Sequence, residues 1–147
     1  MVNVEADVLA GAALAKEANS VGVVYSMAYG DQPALTAEIV EWARASGFNV
    51  TSAGKGTRYQ PIYHKSSPDT VWDYYGLTHE EARKAGMNPK MFNSFLDGTK
   101  SGLEMAAIAN ACDLEVPTNG LLFPPCGMDD LANILKPLES VSYTHLR

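Results

Sequence analysis

The segment GVVYSMAYGDQPALTAEIVEWARASGFNVTS, residues 22–52, places a helical pattern between two β-rich runs. Residues 22–28 form the first run. Asp31 then precedes a helical segment that has Pro33 in its first turn and Gly47 at its end, and these residue types favour the start and the end of a helix. Residues 48–52 form the second run. The segment therefore predicts a strand, a helix and a strand in succession.

The residues before this segment continue the same alternation. Residues 2–4 predict a short strand, and Asp7 predicts the start of a helix over residues 8–18. Helices of this length between strands are crossover connections, so the first third of the chain predicts a parallel sheet in an α/β fold. The helix after Asp31 is expected to pack its apolar face inward, and the residues of that face are Leu35, Ile39, Trp42 and Ala43.

Residues 91–111, MFNSFLDGTKSGLEMAAIANA, predict one long helix that begins after Asn88-Pro89. One side of this helix carries four polar residues at helical spacing, which are Asn93, Asp97, Lys100 and Glu104. These side chains can act as a group; a solvated face with surface ion pairs is the alternative. Gly98 and Gly102 each cost roughly 1 kcal/mol in a helix interior, which indicates the close approach of a ligand or a second chain.

Polar side chains also follow each predicted strand, at the end of a parallel sheet where ligands bind. Helix capping explains Asp7 and Asp31, but it does not explain Glu5, Lys55 and Arg58. Lys55 lies between two glycines in AGKGTR, residues 53–58, and the spacing does not fit a Walker A loop. The backbone amides and the two basic side chains can hold an anion, and an ordinary basic loop is the alternative.

The composition indicates one globular domain. The chain has 147 residues, of which 46% are hydrophobic and 19% are charged, and its net charge is −6. The negative charge argues against nucleic acid as a partner. No apolar run has the length needed to span a bilayer, so we expect no membrane partner. Cys112 and Cys126 lack the spacing of a metal site, and two reduced thiols fit a cytoplasmic location.

Six motifs together resemble one family. They are VNVEADV from residue 2, YSMAYGDQPA from residue 25, AGKGTRYQP from residue 53, SPDTVWDYYG from residue 67, MNPKMFNSFLDGTKSGLEMA from residue 87 and NGLLFPPCG from residue 119. With these motifs the chain is similar to the homoserine-dehydrogenase-like NAD(P)-dependent oxidoreductases that carry a C-terminal SAF domain and include 1-deoxy-D-xylulose 5-phosphate reductoisomerase-like enzymes. The resemblance implies a Rossmann dinucleotide-binding domain followed by a substrate-binding region.

The sequence departs from that family at both ends. The Gly-x-Gly-x-x-Gly fingerprint and the SAF region are absent, and the simplest hypothesis is a fragment that is inactive by itself. Residues 1–58 are then the C-terminal part of a Rossmann-like parallel sheet that binds NAD(P), and residues 59–139 are a mostly helical substrate-binding and catalytic region. Residues 140–147 resemble a translated sequencing adapter and are expected to be a non-native tail.

The implied activity is hydride transfer with NAD(P)H on a polar sugar-derived or hydroxy-acid small-molecule substrate, of the homoserine or the reductoisomerase type. Lys100 is assigned to proton donation or oxyanion stabilisation, and Asp97 and Glu104 are expected to orient it. The residues assigned to the substrate are Lys55, Arg58, Asn93 and Ser101, and Glu5 is placed near the nicotinamide. Whether a divalent metal joins Asp97 and Glu104 stays open.

A non-catalytic segment that binds a small molecule or joins copies of the chain is the alternative to an enzyme. In that case Gly98 and Gly102 serve close helix packing in a homo-oligomer, and the polar side chains are solvated. Placement of Lys55, Arg58 and Lys100 in one cleft would favour the enzyme.

Overall fold

The computed structural model describes residues 4–120 and 123–136. Two compact units make up the chain: unit 1 comprises Met1–Gly56 and Leu103–Arg147, and unit 2 comprises Thr57–Gly102. The α-helices of the described ranges are α1 (Val4–Val21), α2 (Gln32–Ala45), α3 (Val71–Tyr75), α4 (His79–Lys84), α5 (Pro89–Leu96), α6 (Thr99–Cys112) and α7 (Leu131–Ile134). Short 3-10 helices cover Pro61–Lys65 and Met128–Asp130.

The prediction of a parallel sheet is wrong, because none of the described residues forms a strand. Val4 is the first residue of α1, which therefore begins before Asp7 and includes the helix predicted over residues 8–18. Residues 23–28 and 48–60 have no regular structure. A β-rich segment becomes a strand only when a neighbouring segment pairs with its backbone, and such pairing is absent from the described ranges. The Rossmann-like sheet expected within residues 1–58 is therefore not observed there.

The ends of helix α2 agree with the sequence prediction. The Asp31 carboxylate accepts a hydrogen bond from the backbone N–H of Gln32 at 2.9 Å, which caps the helix. Gly47 follows the C-terminal end with a φ of 88°, a left-handed conformation that glycine adopts without strain. Both signals are local, and both are confirmed.

The packing of α2 differs from the prediction. Its buried side chains are the small ones, Pro33, Ala37 and Val40. The large apolar side chains predicted to face inward are exposed instead, with exposed fractions of 44% for Leu35, 64% for Ile39 and 65% for Trp42. The described ranges contain no sheet that could cover them, so α2 packs on its smaller apolar face.

The core of unit 1 contains side chains from α2 and α6. Its buried residues are Ala37, Val40, Met105, Ile108, Ala109 and Cys112. Met27, Val50 and Ala53 pack against this cluster from the irregular segments. The two β-rich runs therefore contribute apolar side chains to the core although they form no sheet.

Unit 2 is built around a separate core. Its buried residues are Val71, Trp72 and Ala82, with Phe92 and Leu96 packed against them. Helix α4 begins with a capping box: the N–H of Thr78 donates to Glu81 Oε2 at 2.8 Å, and the N–H of Glu81 donates to Thr78 Oγ1 at 3.2 Å.

The long helix predicted over residues 91–111 is two helices, so the prediction of one polar helix face is wrong. Helix α5 ends at Leu96 and α6 begins at Thr99, and Gly98 between them has a φ of 90°. Asp97 Oδ1 accepts a hydrogen bond from the N–H of Thr99 at 2.9 Å, which stabilises the start of α6. The four polar residues are divided by this break: Asn93 lies on α5, Asp97 caps its end, and Lys100 and Glu104 lie on α6.

Within the described ranges, every helix is too short or too polar to span a bilayer. Residues 140–147, the predicted tail, lie outside the described residues, as do residues 2–3 of the predicted first strand.

Candidate functional site

Lys55 and Glu104 form a buried ion pair in unit 1. The Lys55 ammonium donates a hydrogen bond to Glu104 Oε2. The exposed fraction of the side chain is 18% for Lys55 and 5% for Glu104. A carboxylate as buried as that of Glu104 is costly unless an opposite charge is close, and the Lys55 ammonium supplies one.

Packing of the unit 1 core explains how the pair forms. Glu104 precedes the core residue Met105 on α6, and Lys55 follows Ala53, which packs against the same core. Burial of these apolar neighbours holds the two backbone segments together and brings the charged groups within hydrogen-bond distance. The pair is therefore a product of tertiary structure.

The Lys55 ammonium can donate hydrogen bonds in addition to the one that Glu104 accepts. An ammonium has three N–H donors, and Glu104 accepts one of them. The Lys55 side chain is 18% exposed, so it retains some contact with solvent. A fixed ammonium can bind an anionic group or stabilise negative charge that develops on an oxygen atom.

A cavity of about 340 Å³ lies elsewhere in unit 1. Helix α1, residues 24–29 and the first turn of α2 form most of its wall. The polar side chains that line it are Asp7, Tyr25, Ser26, Tyr29 and Asp31. Asp7 and Asp31 follow two of the predicted strands, so the structure brings these polar positions to one cavity although the strands themselves are not formed.

Asp7 and Tyr25 form a hydrogen-bonded pair in the wall of this cavity. The Tyr25 hydroxyl donates to Asp7 Oδ1, and this hydrogen bond is the main reason that the pKa of Tyr25 is raised above its ordinary value. A Cβ atom at Gly11 would lie 3.0 Å from Asp7 Oδ1 and 3.5 Å from the Tyr25 hydroxyl. Glycine at position 11 therefore leaves room for the pair.

Asn93 and Asp97 form a second polar pair, in unit 2. Asn93 Nδ2 donates to Asp97 Oδ2 at 2.9 Å, and the other carboxylate oxygen accepts from the N–H of Thr99. Asn93 is 8% exposed, and its Oδ1 is buried without a hydrogen-bond partner among the described residues. Because a carboxylate only accepts hydrogen bonds, the amide must turn its NH₂ group toward Asp97. Asp97 thus connects α5 to the start of α6.

The other residues predicted to act in the site have varied surroundings. In unit 2, Arg58 is exposed, Lys100 is partly buried in the first turn of α6, and Ser101 beside it is buried, with 4% exposure. In unit 1, Glu5 is exposed in the first turn of α1. Their roles toward a substrate or a cofactor stay predictions. No group of three or more His, Cys, Asp or Glu side chains in the described ranges could hold a metal ion.

Sequence reasoning missed two of these contacts. Helical spacing indicated Lys100 as the neighbour of Glu104, and only the fold shows that Lys55 pairs with that carboxylate. The bond between Tyr25 and Asp7 also depends on tertiary structure. A local signal did exist for the second contact, because Gly11 lies one helical turn after Asp7 and leaves its carboxylate uncovered.

Comparison with known proteins gives one match. A family sequence model described as "Oxidoreductase DRL, catalytic domain" matches residues 30–145, a range that includes Lys55 and Glu104. Neither the curated proteins nor the solved structures gave a match. The matched range covers more than half of the chain, and the protein therefore belongs to the oxidoreductase DRL catalytic-domain family.

Proposed function

We propose that the chain is the substrate-handling part of an NAD(P)-dependent oxidoreductase that acts on a polar, sugar-derived or hydroxy-acid substrate. Membership of an oxidoreductase family supports redox chemistry of the whole enzyme. The homoserine-dehydrogenase-like and the reductoisomerase-like types share the motifs of this chain, and the proposal includes both types.

The buried pair of Lys55 and Glu104 is the observation that carries the proposal. Both residues lie in the family-matched range, and a lysine with 18% exposure beside a carboxylate with 5% exposure is a fixed cation at the surface of a core. A polar substrate offers hydroxyl, carbonyl or carboxylate oxygens that such a cation can bind. In this role Lys55 holds the substrate and Glu104 holds Lys55.

The described residues do not fit a dinucleotide. Its pyrophosphate binds where a glycine-rich turn leads from a strand into a helix, and no strand is present in the described ranges. The cavity of unit 1 is lined by the carboxylates of Asp7 and Asp31, which repel phosphate. We therefore propose that the described part of the chain does not bind NAD(P) by itself.

The remaining assignments concern the substrate. Lys100 donates a proton to the substrate oxygen or stabilises the charge on it, as the sequence predicts. Arg58, Asn93 and Ser101 lie in unit 2 and are assigned to polar groups of a substrate from the sequence, separately from the role of Lys55 in unit 1. The buried Asn93 Oδ1 supports the role of that residue, because this oxygen has no hydrogen-bond partner among the described residues and a polar group removed from water requires one.

Ligand titration of the intact chain, followed by NMR, tests the proposal. D-Glycerate and D-erythrose 4-phosphate serve as probes of the hydroxy-acid and the sugar-derived classes. We expect at least one of them to shift resonances of residues around Lys55, and we expect Lys55→Met to weaken its binding by about tenfold, the effect of one lost charged hydrogen bond. NADH and NADPH should not bind at micromolar concentration.

Two control variants make the result specific. Lys84→Met removes an exposed lysine of unit 2 and should leave binding unchanged, while Lys55→Arg keeps the positive charge and should retain most of the affinity. Unchanged binding in Lys55→Met, or the failure of both probes to bind, contradicts the substrate role. Micromolar binding of a dinucleotide contradicts the proposal that this chain does not bind NAD(P) by itself.

A further inference from the structure

We propose that the cavity of unit 1 is a binding site for a small organic amine, whose ammonium lies at the carboxylates of Asp7 and Asp31. The cavity volume of about 340 Å³ falls within the range of small-molecule sites. The inference goes beyond the proposed oxidoreductase function, since an amine differs in charge from the oxygen-bearing substrates proposed for Lys55.

The charges of the cavity select the ligand. Asp7 and Asp31 supply two carboxylates, and none of the described lining residues is basic. One oxygen of each carboxylate already accepts a hydrogen bond. Asp7 accepts from the Tyr25 hydroxyl, and Asp31 accepts from the N–H of Gln32. The lone pairs that remain accept hydrogen bonds, and an ammonium is a group that only donates them. A phosphate or a carboxylate ligand would be repelled.

Both carboxylates are held in place before a ligand binds. The Tyr25 hydroxyl fixes Asp7, and the missing side chain at Gly11 keeps the space that this pair occupies. Asp31 is fixed by its bond to the first turn of α2. A ligand that meets fixed acceptors does not bear the entropy cost of ordering them, which strengthens its binding.

The rest of the wall favours an organic amine over a metal ion. The apolar side chains of the wall include Leu14, Val24, Met27 and Pro33. These surfaces match a hydrocarbon body and supply no oxygen ligand for a hard cation. Calcium requires six to eight oxygen ligands, and no group of metal-ligating side chains occurs in the described ranges.

Three probes of nearly equal size test the charge requirement. They are cyclohexylmethylamine, cyclohexylmethanol and cyclohexanecarboxylate, and their binding to the intact chain is measured by NMR titration near neutral pH. We expect the amine to shift resonances of cavity residues and to bind about tenfold more tightly than the alcohol, because the alcohol lacks the charged hydrogen bonds. The carboxylate should show no binding at the cavity.

Conservative variants locate the site. Asp7→Asn keeps an acceptor for Tyr25, and Asp31→Asn keeps a good helix cap, so both should fold while losing a charge. Each should weaken amine binding by about tenfold. Asp129→Asn removes an exposed carboxylate of unit 1 that is not among the lining residues, and it should have no effect. Equal affinity for the three probes, tighter binding of the carboxylate, absence of amine binding, or equal effects of the three variants would overturn the proposal.

Discussion

Lys55 and Glu104 lie 49 positions apart in sequence and form an ion pair at the edge of the unit 1 core. The chain also contains an exposed ion pair. Lys84 and Glu80 lie one turn apart on α4, and their side chains are 73% and 65% exposed. The two pairs have the same chemistry but different surroundings, and this difference gives the first prediction.

Lys55→Met should destabilise the chain by about 3 kcal/mol, because it removes the ammonium that pairs with the buried Glu104 carboxylate. Lys84→Met should change stability by less than about 0.5 kcal/mol, since water solvates both partners of that pair. Urea denaturation measures both free energies. The double variant Lys55→Met with Glu104→Met should recover most of the loss. Equal effects of the two single variants would show that burial of the pair is not important.

Lys100→Met tests the predicted proton donor in the full-length enzyme. Turnover should fall by about two to four orders of magnitude, the range of a positioned general acid, and stability should change little because methionine keeps the helix propensity and most of the packing. Steady-state kinetics and urea denaturation of the same variant separate the two effects. Normal turnover would rule out the catalytic role, and a loss of stability alone would indicate a structural ion pair.

The two glycines of the α5–α6 region should respond to alanine in opposite ways. Gly98 has a φ of 90°, so Gly98→Ala should destabilise the chain by about 1 kcal/mol or more. A Cβ atom at Gly102 would meet no heavy atom within 4 Å, so Gly102→Ala should stabilise α6 by about 0.5–1 kcal/mol. Thermal unfolding compares the variants. Destabilisation by Gly102→Ala would instead support close packing at this position, the earlier alternative of a second chain or ligand.

Glu81 should contribute a stability that disappears in acid. Hydrogen bonds from Thr78 lower the pKa of Glu81 below its ordinary value of 4.5, so the folded state favours the ionised carboxylate. The contribution is therefore present above pH 4.5 and is lost as the pH falls through the lowered pKa. The difference in Tm between the protein and Glu81→Gln should be larger at pH 7 than in acid. Glu115→Gln, at an exposed glutamate outside the caps, serves as the control. A difference that does not change with pH would contradict the capping role.

The two cysteines should react at different rates. Cys112 is 3% exposed, and burial raises the pKa of its thiol, whereas Cys126 is exposed. A thiol reagent that releases a coloured product should label Cys126 quickly in the native protein and Cys112 only after unfolding in urea. Cys126→Ser should abolish the fast phase. Fast labelling of Cys112 would mean that the core of unit 1 opens readily.

The features that could be predicted from the sequence are those with local causes. Asp31 caps α2, and Thr78 with Glu81 caps α4, because each depends on residues within one helical turn. The prediction of strands was wrong because a strand requires a second segment to pair with. The residue pattern within 22–28 or 48–52 does not show whether such a segment is present. The prediction of one helix over residues 91–111 was wrong at Gly98. A helix tolerates a glycine, but Gly98 adopts a left-handed conformation that ends the helix.

The candidate site shows the same division between local and distant causes. Asn93 and Asp97 were predicted to share a helix face, and they do form a hydrogen bond over four positions, although a helix end replaces the continuous helix. The contact of Glu104 with Lys55 was not predictable, because only core packing brings the segment of Lys55 to α6. Charged groups that meet through tertiary structure leave no spacing signal in one sequence.

The exposed face of α2 also gives the molecule an optical property. Trp42 on that face is 65% exposed, whereas Trp72 in the unit 2 core is 3% exposed, and they are the two tryptophans of the chain. Acrylamide should quench the red-shifted emission of Trp42 first and leave the blue-shifted emission of Trp72. Because Trp42 is already exposed in the native protein, a red shift of the emission on unfolding comes from Trp72, and the unfolding of unit 2 can be followed in an unlabelled sample.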